Sequence, residues 1–403
     1  MTSLLLLAAA QLSFQTGKVQ GRQAYILENS VIRVAALRGG GHLAEIRFVS
    51  ADARKSLNPM RVPHYPTIEP YQYNPKAHDA LYGDSSHRWL SSGYMGHLLC
   101  FPAFGPPSSP EEIAAQLGNH GEAPIVEWKQ TRDALVTPGA VTLWYGADLP
   151  KTRYRVDRTV TLRAGEAVVR VEESVENLLP FDRPINWVQH ATFGEPFAEP
   201  GKNFLDVSAV KGEGGGGRAN NSLASGAIVW PEGTARDGSK VSLRPFQPAE
   251  RAGTYYALLL NPARPISYFT AYHSDYLVLI GYLFPTADNP WIGDWQENRS
   301  NTGKPWDGKA VARGLEFGTT PFPEGLRKSV ERGSLYGVPT YRWIGGRQRL
   351  TTTFTVFLAE IPAGFAGVQD VREEAGRIRV VERSTGRTIT ATGGAAATER
   401  PSK

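Results

Sequence analysis

Short apolar runs of β-strand length, separated by glycine-containing turns, recur along this chain and limit most strongly what it can fold into. Residues 24–27, 31–37 and 43–48 are three such runs, and the segments between them contain Asn29-Ser30 and Gly39-Gly40-Gly41. This order is typical of antiparallel hairpins and meanders. The 42 glycines and 29 prolines among 403 residues indicate that turns are frequent throughout and long helices rare.

The clearest strand pattern lies in the middle of the chain. Apolar residues alternate through residues 154–162 and again through 167–175, and the turn-forming Ala164-Gly165-Glu166 joins the two segments. Two alternating segments joined in this way predict a β-hairpin. Further strand patterns follow at 255–260, 266–272, 276–284 and 350–358, and neither an internal repeat nor a long amphipathic helix occurs. We therefore predict an all-β fold, a large antiparallel sandwich formed by residues 21–392 as a single domain.

Two long segments have no strand pattern. Residues 58–88 contain five prolines and several tyrosines, and residues 291–308 contain three tryptophans, Trp291, Trp295 and Trp306. Long loops within compact domains are uncommon and are often functional. Each segment is expected to line a pocket or to cover a sheet, and the sequence does not decide between the two.

Charge and cysteine content exclude several classes of protein. The net charge is +5, and no block of Lys and Arg resembles a nucleic-acid-binding patch. Cys100 is the single cysteine, so intramolecular disulfides and cysteine-rich zinc sites are excluded. Its apolar neighbours indicate a buried thiol.

The two ends of the chain are predicted to lie outside the sandwich. Residues 4–10 form an apolar run that contains three alanines, so residues 1–20 are interpreted as a signal peptide or a disordered tail. Periplasmic or secreted localisation is the expectation, with the cytoplasm as the alternative. No other segment approaches the roughly 18 apolar residues of a membrane span, and residues 393–403 are expected to be disordered.

Motif searches leave acid–base chemistry as the best candidate. The histidines lack the close spacing of a metal-binding helix, no Gly-x-Ser-x-Gly surrounds a serine, and no phosphate-binding loop occurs. Three residues then stand out, namely His120 in a polar turn, His190 between Trp187 and Phe193, and Glu316 in a strand-like run. Histidine and glutamate in an aromatic-rich setting suit carbohydrate chemistry. Each also has a structural reading: a solvated turn histidine, a core histidine and a paired strand glutamate.

Several short motifs occur in a recognisable order. They are Leu27-Glu28-Asn29 before Gly39-Gly40-Gly41, His120-Gly121 before Trp128, Glu176-Asn177-Leu178 before Trp187 and His190, and Leu315-Glu316 before Thr319 and Pro321. In this order and spacing the chain, from about residue 27 to about residue 358, resembles the aldose 1-epimerase (galactose mutarotase-like) superfamily. The residues after His190, Ala191-Thr192-Phe193-Gly194, depart from the Tyr-Phe-Asn-Leu that is typical there.

The resemblance implies a β-supersandwich and an isomerase that interconverts the α- and β-anomers of a sugar. Glu316 would be the base, His190 the acid, and His120 a hydrogen-bond donor to the sugar. Candidate substrate-binding residues are Trp187, Phe193, Trp291, Trp295, Arg88 and Asp294, with Asp275 as a further option for the sugar-contacting aspartate. Neither a metal nor an organic cofactor is required. The expected partner is a small-molecule sugar, with no nucleic acid, and the protein is expected to be a monomer or homodimer.

Three functions remain open at this point. The first is a mutarotase, the second a non-catalytic carbohydrate-binding protein on the same scaffold, and the third a carbohydrate-active hydrolase or lyase with a related sandwich. A hydrolase would need two acidic groups flanking the glycosidic bond.

Overall fold

The computed structural model describes residues 12–214, 222–246 and 250–391. About 50% of the chain is strand and 8% is helix, and the sheets are large and antiparallel. The prediction of an all-β antiparallel sandwich is therefore confirmed.

The strands are short and follow one another closely along the chain. In its first half they are β1 Ser13–Val19, β2 Arg22–Glu28, β3 Ile32–Leu37, β4 Leu43–Phe48, β5 His97–Cys100, β6 Lys129–Val136, β7 Ala140–Leu149, β8 Tyr154–Arg163, β9 Val168–Asn177, β10 Arg183–Ile185 and β11 Val188–Gly194. In its second half they are β12 Asn203–Val207, β13 Ala209–Gly214, β14 Gly226–Val229, β15 Glu232–Thr234, β16 Lys240–Ser242, β17 Ala252–Leu260, β18 Ile266–His273, β19 Val278–Pro285, β20 Trp291–Asn298, β21 Val311–Gly318, β22 Ser334–Leu335, β23 Val338–Pro339, β24 Arg342–Ile344, β25 Arg349–Glu360, β26 Val368–Glu374, β27 Arg377–Glu382 and β28 Thr388–Thr390.

Two sheets form the sandwich. One has the order β1-β2-β3-β4-β5-β11-β21-β20-β17-β13-β14-β15-β16, and the other has the order β12-β18-β19-β25-β9-β8-β7-β6. The predicted hairpin is β8–β9, in which Leu162 lies opposite Val169. Side chains from both sheets, among them Leu143, Val156 and Phe317, form one buried core between them. Alternating residues of each strand point into this core, and the others point away from it.

Helices are few and lie between strands. They are α1 Pro75–Tyr82, α2 Arg88–Ser91, α3 Pro110–Ala114 and α4 Leu326–Arg332, with 3₁₀ turns at Pro70–Gln72 and Ala123–Ile125. Part of the segment predicted as a loop at residues 58–88 is therefore helical. The helix α1 begins with Asn74, whose side chain accepts a hydrogen bond from the Lys76 amide, and with Pro75 in its first turn. An asparagine cap before a proline is a sequence signal for a helix start.

The prediction that residues 291–308 form a loop is wrong for the first half of this segment. Residues Trp291–Asn298 are strand β20, which pairs with β17 and β21 and is buried along its whole length. A strand buried on both faces loses the alternation of apolar and polar residues by which strands are recognised in sequence. Asp294 of β20 pairs with the buried Arg313, which the sequence does not reveal.

A third, three-stranded sheet, β26-β27-β28, covers the outer face of the second sheet. Val371, Val380 and Ile389 from it pack against Leu279 and Phe357 in one buried cluster. Its second and third strands are Arg377–Glu382 and Thr388–Thr390.

The two predicted tails lie largely outside the described residues, which start at residue 12 and end at residue 391. Within the predicted N-terminal tail, Ser13–Val19 forms the edge strand β1, paired with β2 from Ser13 opposite Glu28 to Val19 opposite Arg22. The sandwich thus begins earlier than residue 21, and export stays a prediction. In the part of the chain that the structure describes, helices are too short or too polar to cross a bilayer.

Two buried histidines make the fold sensitive to acid. Burial, together with the positive charge of Arg22, lowers the pKa of His42 to about 3. Burial and the charge of Arg158 likewise lower the pKa of His97 far below its ordinary value. His42 Nε2 lies 3.1 Å from the carbonyl oxygen of Pro124, to which the neutral ring donates.

We expect the free energy of unfolding to fall as the pH drops from 6.5 towards 3. In that window the unfolded chain binds protons at these histidines and the folded chain does not, so each contributes a slope of up to about 1.4 kcal/mol per pH unit. Urea unfolding at pH 7.5 and pH 5 measures the difference. His42→Gln keeps a donor for Pro124 and should flatten the slope, whereas equal stabilities at the two pH values would contradict the prediction.

Candidate acid–base site

The structure brings His190 and Glu316 into direct contact. Their strands, β11 and β21, are antiparallel neighbours, and the two residues are paired opposite each other. Residues paired in this way place their side chains on the same face of the sheet. His190 Nε2 lies 2.8 Å from Glu316 Oε1, and each residue is only 3% exposed. A titratable base and a carboxylate therefore share one hydrogen bond on the outer face of the first sheet.

His120 lies beside this pair. Its ring centroid is 5.3 Å from that of His190, and the ring stacks on Phe104 at 5.2 Å. Its backbone is held in a left-handed conformation, with φ at 66°. The Gly105 amide donates to His120 Nδ1 at 3.2 Å. Because Nδ1 accepts this bond, the neutral His120 ring carries its proton on Nε2.

A chain of hydroxyl groups reaches the other nitrogen of His190. Thr192 Oγ1 lies 2.8 Å from His190 Nδ1, and Tyr94 Oη lies 2.7 Å from Thr192 Oγ1. Burial raises the pKa of Tyr94, so its hydroxyl stays protonated. With Tyr94 donating to Thr192 and Thr192 donating to Nδ1, the neutral His190 ring carries its proton on Nε2, facing Glu316.

These residues line a cleft of about 740 Å³. His120, His190 and Glu316 all contribute to its wall, with Trp295 and Trp306 as aromatic surfaces. The rings of the two tryptophans lie 5.9 Å apart and nearly perpendicular. A concave site of this size, with aromatic walls and a few convergent polar groups, is typical of small-molecule binding.

Two glycines make room for the rings. A Cβ atom on Gly314 would lie 2.7 Å from His190 Cε1 and 3.1 Å from Trp295 Cε3, and one on Gly293 would lie 2.3 Å from Tyr255 Oη. Gly314 pairs with Trp295 across β20 and β21, and Gly293 pairs with Glu316. The rings of His190, Trp295 and Tyr255 therefore occupy space that a side chain at Gly314 or Gly293 would fill.

Trp187 and Phe193, predicted to bind the substrate, point into the core instead. Each is three residues from His190, and an odd separation along a strand changes the face. Trp187 Nε1 donates to Glu173 Oε1 at 2.6 Å. Phe193 packs against Phe197 with centroids 5.6 Å apart. The alternation that argued for strands elsewhere would have excluded both residues from the site.

Trp291 and Asp294 are likewise outside the cleft, although Trp295 lines it as predicted. Trp291 is buried four residues away on β20 and donates from Nε1 to the Pro339 carbonyl at 2.9 Å. Asp294 faces the core, where its carboxylate pairs with Arg313 at 2.6 Å and accepts from Tyr256 at 2.5 Å. Its role is to neutralise a buried arginine.

Arg88 and Asp275 do not reach the cleft either. Arg88 Nη1 donates to the Asp84 carbonyl at 2.8 Å and lies 3.6 Å from Asp79 Oδ2. Asp275 pairs with Lys202 at 2.7 Å, and its side chain is 58% exposed. Neither residue lines the cleft.

Several residues that the sequence analysis missed are part of the site. Tyr94, Asn119 and Glu297 line the cleft with the predicted residues. Tyr94 and Asn119 come from connections between strands, and no local pattern marks them. Thr192 was visible in the departure from the usual motif after His190, where it supplies the hydroxyl next to Nδ1.

Glu297 holds the loop that forms one edge of the cleft. Its carboxylate accepts from the Ser300 amide at 2.5 Å, the Ser300 hydroxyl at 2.8 Å and the Asn301 amide at 2.9 Å. Within the described ranges, no group of three or more His, Cys, Asp or Glu residues could hold a metal ion.

The fold has clear relatives among solved structures. A protein from Klebsiella pneumoniae with a provisional aldose 1-epimerase assignment superposes with a TM-score of 0.60 and 11% identity, over 88% of this chain and 85% of that one. A galactose mutarotase-like protein from Clostridium acetobutylicum superposes with a TM-score of 0.56 and 11% identity, over 87% and 99%. A galactose mutarotase-like protein from Lactobacillus casei gives a TM-score of 0.51 and 12% identity, over 83% and 99%.

Sequence comparison adds no closer relative. None of the protein-family models or curated protein sequences compared with the chain matches it. At 10–14% identity, the structural likeness shows the fold alone. The predicted galactose mutarotase-like β-supersandwich is confirmed.

Proposed function

We propose, on the premise that this chain has the galactose mutarotase-like fold, that it is an aldose 1-epimerase that interconverts the α- and β-anomers of a sugar. One observation carries the proposal, the 2.8 Å contact between His190 Nε2 and Glu316 Oε1 inside a cleft with aromatic walls. The anomeric hydroxyl and the ring oxygen of a sugar are bonded to the same carbon. An acid and a base within hydrogen-bonding distance of each other can therefore reach both.

Ring opening needs two proton transfers. Glu316 takes the proton of the anomeric hydroxyl while His190, as an imidazolium, gives its Nε2 proton to the ring oxygen. The bond between C1 and the ring oxygen breaks to leave an aldehyde and a neutral His190 ring that is protonated on Nδ1. After rotation about C1–C2, His190 takes the proton of the C5 hydroxyl as it attacks C1. Protonated Glu316 then returns its proton to the aldehyde oxygen. Glu316 and His190 both end in their starting protonation states, so the proton transfers balance without a cofactor.

The surrounding residues would position the sugar. His120 carries its proton on Nε2 and can donate to a sugar oxygen, since Nδ1 is occupied by the Gly105 amide. Trp295 and Trp306 offer faces for the apolar side of a sugar ring. Glu297 is an unsuitable second acid for glycoside hydrolysis, because its oxygens accept bonds from Ser300 and Asn301. This supports an isomerase over a hydrolase.

The chain of hydroxyls can follow the protonation state of His190. When the resting ring is neutral with its proton on Nε2, Thr192 donates to Nδ1 and Tyr94 donates to Thr192. In the imidazolium, and in the neutral ring left after Nε2 has given its proton to the sugar, Nδ1 is the donor, and both hydroxyls can rotate so that Thr192 accepts from it. Thr192 therefore keeps the ring oriented towards Glu316 in both states.

We expect Thr192→Val to lower kcat by about 10-fold to 100-fold, because its side chain has the shape of threonine but offers Nδ1 no hydrogen bond. Thr192→Ser is the matched control, and it should retain most of the activity because it keeps the hydroxyl. The pH profile of kcat should shift in Thr192→Val and not in Thr192→Ser. Equal kcat values and equal pH profiles for the two variants would show that Thr192 only fills space.

Polarimetry tests the proposed reaction directly. Freshly dissolved α-anomers of glucose and galactose are added to the protein, and the optical rotation is followed against buffer. We expect the rotation to reach its equilibrium value faster with protein, in proportion to the protein concentration. Binding of sugars without acceleration would establish the alternative, a non-catalytic carbohydrate-binding protein, and release of reducing ends from a polysaccharide would establish a hydrolase.

A further inference from the structure

Two acceptor oxygens in the cleft lack a hydrogen-bond donor. Glu316 Oε2 and Asn119 Oδ1 are both buried and have no hydrogen-bond partner among the described residues. The two residues are 3% and 5% exposed, and both line the cleft. Buried polar atoms are almost always satisfied, so each of these two oxygens calls for a partner from outside the chain, such as a water molecule or a ligand hydroxyl. The missing partners here are hydrogen-bond donors.

The charge of the cleft also favours a ligand that brings hydrogen-bond donors and no negative charge. Glu297 places a second carboxylate on the wall, 2% exposed, in addition to Glu316. Lys304 lines the cleft, and its Nζ donates to the Ala80 carbonyl at 2.6 Å. No arginine is among the described residues of the wall. Phosphate and carboxylate ligands are usually held by arginines or lysine clusters.

One arginine lies close behind the wall but is covered. The guanidinium carbon of Arg61 is 4.4 Å from the centroid of the Tyr94 ring and 4.6 Å from that of Trp306. Its Nη1 donates to the Tyr94 carbonyl at 2.5 Å, and the residue is 2% exposed. Arg61 therefore supports the two aromatic rings from behind and does not present donors to the cleft.

We propose that the cleft selects uncharged sugars, whose hydroxyl groups donate to Glu316 Oε2 and Asn119 Oδ1, and rejects phosphorylated sugars and uronic acids. The proposal rests on the proposed function for the location of the substrate. An ionised phosphate or carboxylate group brings acceptor oxygens and negative charge to a wall that already has two carboxylates. Like charges placed together in a partly buried site disfavour binding.

The test compares sugars that differ only in charge. Glucose and galactose are measured beside their 6-phosphates and beside glucuronic and galacturonic acids. Exchange between the α and β anomeric signals in NMR gives the protein-catalysed rate above buffer, and quenching of tryptophan fluorescence gives binding. We expect kcat/KM for the charged sugars to be at least about 10-fold lower than for the parent hexose, with binding weakened in parallel. A kcat/KM for a charged sugar equal to or higher than that for its parent hexose would overturn the proposal while leaving epimerase activity established.

Binding separates this proposal from the proposed function. If neutral hexoses bind, charged ones do not, and no rate is accelerated, then the epimerase proposal fails and the selectivity stands. If neutral hexoses neither bind nor react, the selectivity proposal is overturned. Raising the ionic strength should reduce the difference in affinity between neutral and charged sugars, since salt screens charges over roughly 10 Å at 0.1 M.

Two variants test the residues involved. Glu297→Gln keeps an oxygen for Ser300 but removes a charge. It should therefore lower the ratio of kcat/KM for neutral sugars to kcat/KM for charged sugars about threefold or more. Glu331→Gln, an exposed carboxylate on α4, is the matched control and should leave the ratio unchanged. Asn119→Leu removes the acceptor and should raise KM for neutral sugars about fivefold. An unchanged ratio in Glu297→Gln together with an unchanged KM in Asn119→Leu would overturn the proposal.

Discussion

Replacing Glu316 by Gln is expected to lower the rate of anomer interconversion by a factor of about 10² to 10⁴. The amide has nearly the shape of the carboxylate and can still accept from His190 Nε2, which lies 2.8 Å from Glu316 Oε1 in the native protein. It cannot take the proton of the anomeric hydroxyl. Polarimetry at saturating sugar measures kcat, and fluorescence titration measures whether the sugar still binds.

His190→Asn is expected to have an effect of the same size, because it removes the proton donor to the ring oxygen. The double variant should be little slower than either single variant, since the two groups act on one proton-transfer step. Glu331→Gln is a control for the general effect of losing a carboxylate. The assignment of Glu316 as base would be refuted by a Glu316→Gln protein that binds sugar and retains most of the native kcat.

The largest expected effect on stability comes from the ion pair between Arg158 and Glu173. Both side chains are fully buried, and Nη2 of Arg158 lies 2.5 Å from Glu173 Oε2. Burial alone would lower the pKa of Arg158, but Tyr145 and Glu173 raise it, so the guanidinium stays charged. Glu173 also accepts from Trp187 and Gln189, the core-facing residues on either side of Val188. The pair therefore anchors the strand that carries His190.

Glu173→Gln should lower the free energy of unfolding by about 3 to 5 kcal/mol, because it leaves a buried guanidinium without its counter-charge. Urea unfolding at pH 7.5 measures the loss. Glu331 pairs with Arg327 with both side chains 58% exposed, so Glu331→Gln should cost less than about 1 kcal/mol. A double replacement, Arg158→Met with Glu173→Gln, should recover much of the stability, because it removes the unpaired guanidinium and keeps an acceptor for Trp187 and Gln189. Equally small decreases in the free energy of unfolding for Glu173→Gln and Glu331→Gln would contradict the prediction.

The sequence predicted the elements whose pattern is local. The hairpin β8–β9 follows from alternation over twenty residues, and His120, His190 and Glu316 were found from residue type together with a family resemblance. The failures have two physical causes. Trp187 and Phe193 are close to His190 in sequence, but a strand places residues three apart on opposite faces.

The second cause is that burial and pairing are properties of the folded chain. Trp291–Asn298 contains an aspartate and a glutamate that look exposed in sequence, yet every residue of this strand is buried. Asp294 could only be assigned once Arg313 was seen next to it. In the same way, Tyr94 is separated by 98 positions from Thr192, and no spacing rule connects them.

The pairing of His190 with Glu316 across β11 and β21 has a consequence for how such a protein can diverge. The distance between the backbones of His190 and Glu316 is fixed by the spacing of hydrogen-bonded strands, about 4.8 Å, and not by any loop. Other residues that line the cleft, among them Asn119 and residues 300–304, belong to connections between strands. Mutation can therefore rebuild the recognition of the ligand while the reacting pair keeps its geometry. For an engineer, the two strands are the part to leave untouched and the connections are the part to randomise.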